Sequence, residues 1–75
     1  MEPIHTALEL LKRQAAIEAR LREPGSARIA DERELYLIRQ TLRRYPEAVE
    51  ATLRAVAALN RPIDSITPDD VRRIA

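Results

Sequence analysis

His5 is the only imidazole in this 75-residue chain, and there is no cysteine to serve as nucleophile, metal ligand or staple. A general base or a metal centre built on one histidine needs partners at set spacings. His5 lies on the more polar side of its helix, near Lys12 and Ala16. The acidic residues are spread as helix-start acids and arginine partners, not gathered as cation ligands. Gly25 is the only glycine, so no glycine-rich loop can cradle a phosphate. The expectation is a protein that is not an enzyme and carries no cofactor and no metal.

What remains is arginine, which supplies every basic residue except Lys12. Its planar fork suits bidentate anion binding, although a GC-rich coding sequence gives the same bias without any function. The net charge is only +1, but it is unevenly placed: −1 over residues 1–19, +3 over 20–44 and −1 over 45–75. The excess falls on a loop and on the helix after it. Arg33, Tyr36, Leu37, Gln40, Arg43 and Arg44 fall there on the face away from that helix's apolar seam. An apolar anchor with an arginine rim is how protein-binding surfaces are built; a solvated face with one exposed leucine is the plainer reading. Arg33, Tyr36, Leu37, Arg43 and Arg44 are therefore the candidate partner-binding residues. The same stripe could instead meet the phosphates of a nucleic acid, but only two aromatic side chains are available to stack on bases.

The elements that must position these residues are helices. Apolar residues make up 45% of the chain and charged residues 33%, with neither Phe nor Trp, a composition that suits helices and starves strands. No apolar run is long enough to cross a membrane, and no basic-then-apolar leader opens the chain, so a cytoplasmic protein is expected. From Pro3, apolar residues recur at Ile4, Leu8, Leu11 and Ala15, beside a second row of Ala7, Leu10, Ile17 and Leu21. This predicts a helix over 3–23 with a broad apolar stripe, supported by i,i+4 pairs Glu9–Arg13 and Glu18–Arg22. Pro24-Gly25-Ser26 stops it, and 24–30 reads as a loop.

Asp31-Glu32-Arg33-Glu34 has the pattern of a capping box with Asp31 as N-cap. A heptad register then runs through Leu35, Ile38, Leu42, Tyr45, Val49, Val56 and Leu59, with Thr52 the one departure. It crosses Pro46 without a change of phase. Proline argues for a break and the unbroken phase against one, so a single helix over 31–60, kinked at Pro46, is favoured over two abutting helices. Asn60-Arg61-Pro62 ends it. In Ile66-Thr67-Pro68-Asp69-Asp70-Val71, Thr67 caps, Pro68 takes the first helical position, both aspartates meet the positive helix end, and Ile66 and Val71 form a hydrophobic staple. A short helix over 68–75 follows and stops without a C-cap; it either frays or continues in a longer chain.

The order of Ala27-Arg28-Ile29-Ala30-Asp31-Glu32, a long helix, Asn60-Arg61 and a capped last helix is similar to that of histone-fold proteins. Pro46, the long first helix and the long last loop depart from that pattern. The expected architecture is all-α: one small domain over 1–75, a helical hairpin plus a short C-terminal helix. A chain of this size buries only about 60% of its unfolded surface, and one hairpin cannot cover both the broad stripe and the seam. A homodimeric helical bundle acting as a regulatory module that binds another protein is expected, with nucleic-acid binding as the alternative and no membrane partner.

Overall fold

Proline at the first turn, a broad apolar stripe and no β-branched run make the first segment helical from its first described residue. The computed structural model describes residues 3–25 and 28–74. Among them it is all-helical, with α1 (Pro3–Leu21), α2 (Arg28–Leu42), α3 (Pro46–Leu59), a 3₁₀ turn (Ile63–Ser65) and α4 (Pro68–Ile74). None of these helices is long and apolar enough to cross a membrane.

α1 is the common support. From Leu10 onward it packs Leu10, Ile17 and Leu21 against Leu35, Ile38 and Leu42 of α2. Its N-terminal half packs Ile4 and Leu8 against Ala51, Ala55, Val56 and Leu59 of α3 and against Ile63, Ile66 and Val71 beyond it. α2 and α3 each lie against α1, and the two share no comparable interface with one another. The result is two small cores strung along one helix.

The predicted single helix over 31–60 is corrected to two helices. Pro46 has no N–H to give the Leu42 carbonyl, and its ring excludes helical backbone at Tyr45. The chain therefore tightens: the Arg44 N–H reaches the Thr41 carbonyl at 3.0 Å and the Tyr45 N–H reaches the Leu42 carbonyl at 3.0 Å. Tyr45 leaves the helical region (φ −128°, ψ 53°) and becomes the N-cap of α3, with Pro46 in its first turn. This also removes the unbroken central helix on which the likeness to histone-fold proteins rests.

Breaking the helix also slips the register. Leu35 and Ile38 are buried as expected, and Leu42 and Tyr45 are half-buried. Beyond the break, Ala48, Thr52 and Ala55 are the residues turned into the core, while Val49, Val56 and Leu59 are only half-buried. Thr52 tolerates full burial because its hydroxyl donates to the Ala48 carbonyl at 2.8 Å.

A second correction concerns Asp31. α2 begins at Arg28, three residues before the expected cap, and the rest of the predicted loop, Ser26 and Ala27, lies outside the described residues. Asp31 instead sits inside the helix with its side chain only 11% exposed, where Arg20 of α1 holds it through Nη2 at 2.6 Å. Glu34 is held by Arg13 in a two-pronged pair, Nε at 2.6 Å and Nη2 at 3.0 Å. The Arg13 hydrogen bond keeps the Glu34 carboxyl below its ordinary value, against the opposing effect of desolvation. The expected Glu9–Arg13 pair thus gives way to one between helices, and Glu18 stands 3.9 Å from Arg39 of α2 rather than pairing along α1.

Helix ends otherwise fall close to expectation. α1 stops at Leu21, two residues early, and Gly25 takes the positive φ of 86° that lets the chain turn. Asn60 closes α3 in the left-handed region (φ 51°, ψ 44°), its N–H on the Val56 carbonyl. α4 runs to Ile74, and Ala75 is outside the described residues.

Because Pro46 fits the first turn of α3 and fixes the break, Pro46→Ala should destabilise the protein. The expected loss is ~0.5–1 kcal/mol, seen as a melting temperature lower by roughly 2–8 °C. An unchanged or raised melting temperature would mean that the two helices merge at no cost.

Candidate interaction surfaces

His5 is exposed on α1, and among the described residues no three His, Cys, Asp or Glu side chains are grouped to hold a metal ion. The features that stand out are apolar and cationic surfaces on α2 and α3.

The first surface follows from the register slip. With Ala48 and Ala55 turned inward, Val49 turns partly out and aligns with Leu42, Pro46, Leu53 and Ala57. These five line an open groove of ≈ 690 Å³ that crosses the α2–α3 break, and Arg39, Arg43, Glu50 and Arg54 complete its lining. From Pro46 to Ala57 the spacing of three, four and four residues is one stripe of α3, and Leu42 at the end of α2 continues its lining across the break. Leu53 is 51% exposed. Glu50 accepts from Arg54 at 2.6 Å, whereas among the described residues no acid pairs with Arg43. Along its principal axes the molecule measures 40 × 25 × 15 Å. Its accessible surface, 5266 Å², exceeds the roughly 4,700 Å² of a compact monomer of this mass.

The second surface is the outer face of α2. Tyr36 and Leu37 are 62% and 58% exposed, and among the described residues Ile29 is the most exposed large apolar one at 79%. Arg33 lines a shallow hollow with Arg28, Ile29 and Ala30. Of the five candidate partner-binding residues, Arg33, Tyr36 and Leu37 thus share this face. Arg43 belongs to the groove, and Arg44 borders a separate hollow with Pro3, Tyr45, Glu47 and Ala48. Sequence reasoning missed Ile29, Pro46, Leu53 and Ala57, and it placed Leu42 and Val49 in the seam. The 42-46-49-53-57 spacing was there to be read, but the heptad masked it.

A polar cluster at the other end of the molecule is structural. Asp70 accepts from the Thr67 N–H at 3.0 Å, while its own N–H donates to the Thr67 hydroxyl at 3.2 Å, completing a capping box at α4. Arg61 and Arg73 donate to the same carboxylate at 2.9 and 2.5 Å. Ile66 and Val71, the staple, are fully buried against Leu8 and Ala55. A helix of seven residues does not stand alone, so this box and staple hold it. The Thr67 backbone bond leads the effects that draw the Asp70 carboxyl below its ordinary value; its hydroxyl, Arg73 and Arg61 add to it and burial opposes it. A depressed carboxyl stabilises the fold above the unfolded value of about 4 and loses that contribution as pH falls through the folded value. Asp70→Asn should therefore lower the melting temperature at pH 7, and its deficit against the parent should shrink below about pH 4. A deficit that stays constant with pH would show that the carboxylate charge is immaterial.

No family model matches the chain, and neither a curated protein nor a solved structure is similar to it.

Proposed function

We propose that this chain is a helical interaction module that works as a homodimer, two copies meeting across the Leu42–Ala57 groove and presenting the outer face of α2 to another protein. The observation that carries the reading is the uncovered apolar stripe, with Leu53 half exposed within it. Large exposed apolar patches on small proteins mark interaction sites.

Three features favour a second copy as the occupant. Positions 42, 46, 49 and 53 are spaced four, three and four, which reads the same in both directions. An antiparallel two-fold arrangement therefore sets Leu42 against Leu53 and Pro46 against Val49, as a self-complementary interface requires. The same alignment brings Glu50 of the second copy to within about one turn of Arg43, which lacks an acid partner among the described residues. The surplus of accessible surface, some hundreds of Å², is of the order that each side of a stable interface buries, about 800 Å².

Sedimentation equilibrium at tens of micromolar should give twice the 8.6 kDa of the chain. Leu53→Asp lies on the surface and should keep the helical circular dichroism while weakening association by about 30-fold or more. Leu42→Asp is a less selective probe, since Leu42 also packs on the core of Ile17, Leu35 and Ile38. A monomeric parent, or a Leu53→Asp variant that dimerises as before, contradicts the proposal.

A further inference from the structure

The fold divides the charges of α2 unequally. Two of its three acids are turned toward α1 and engaged there, Asp31 by Arg20 and Glu34 by Arg13. Glu32 is the only acid of the helix left exposed. The cations are not matched inward in the same way: Arg28 and Arg33, which line one hollow with Ile29, pair with no acid among the described residues. Ile29, Arg33, Tyr36 and Gln40 follow one another at four, three and four residues, and Leu37 lies one turn beyond Arg33. The outer face of α2 is thus an apolar ridge of Ile29, Tyr36 and Leu37 interleaved with uncompensated guanidinium groups.

We infer that this face receives an amphipathic helix of a partner protein whose apolar stripe is bordered by Asp and Glu side chains. The inference rests on the interaction-module reading above and names the chemistry of the partner. The cations select an acidic border, because an arginine set against a basic or neutral helix gives up hydration without a counter-charge. The apolar side chains select a protein over a nucleic acid. Three large side chains exposed by more than half gain from an apolar counter-surface, whereas a phosphate backbone would use the arginines and leave the ridge wet.

The test uses the full chain and fluorescence anisotropy with three labelled probes. One is a synthetic amphipathic peptide with leucines on one face and glutamates beside them; the second has lysines in place of the glutamates; the third is a short DNA duplex. The glutamate peptide should bind in the micromolar range and the lysine peptide at least ~10-fold more weakly. Leu37→Ala should weaken capture of the glutamate peptide by ~5–30-fold, and Arg28→Glu with Arg33→Glu by at least ~10-fold. Equal binding of both peptides, tighter binding of the duplex, or no capture of the glutamate peptide overturns the inference. Leu53→Asp lies off this face and should still capture the peptide. A dimer that ignores the peptide therefore defeats this inference alone, and a monomeric parent that captures it defeats the groove alone.

Discussion

Pro46 has no amide hydrogen, and the residue before it is barred from helical backbone; most of the architecture follows from that one constraint. The second arm of the hairpin must end at Leu42 and begin again at Pro46. The two helices share no comparable interface, both lean on α1, and the core divides into two clusters along that helix. The break frees the second helix to rotate by about one residue. Small side chains, Ala48 and Ala55, then approach α1 closely, and Val49 swings toward the surface. The groove is the outward consequence of that inward choice.

Electrostatics follows the same economy. The cores are small, and the α1–α2 contact is completed by the Arg13–Glu34 and Arg20–Asp31 pairs along its edge. A half-exposed ion pair contributes little by itself, but Asp31 is nearly enclosed and would be costly without Arg20. Spending the acids on α1 leaves the cations of α2 facing out. The local excess visible in the sequence as +3 over residues 20–44 is thereby shared between the outer face of α2, at Arg28 and Arg33, and the groove, at Arg43.

Much of the fold was legible where local chemistry decides it. Pro3, the stripe of α1, the Asn60 stop and the whole start of α4 are set by residues within a turn of one another, and each element lies within two residues of its expected place at these points. The Thr67–Asp70 box and the Ile66–Val71 staple could be read directly because both partners are in the same short segment. Non-local choices were not legible. Asp31 has the sequence pattern of a cap, but nothing near it in the chain reveals that Arg20, eleven residues away, would claim its carboxylate. The heptad through Pro46 was real as a pattern, yet phase in sequence is not phase in space once the ladder is cut. The exposed faces were half legible for the same reason. Tyr36 and Leu37 lie outside the seam and are exposed as expected. Leu42 packs on the core as a seam residue while also lining the groove, and Val49 was assigned to the seam but lies in neither core cluster.

The central claim is that the stripe exposed by the Pro46 break is covered by a second copy running antiparallel. Isotope-filtered nuclear Overhauser spectroscopy on a mixture of labelled and unlabelled chains reads this directly. The account predicts intermolecular contacts between the methyl groups of Leu42 in one copy and those of Leu53 in the other. Methyl groups of Leu42, Val49 and Leu53 that report only contacts within their own chain would contradict it.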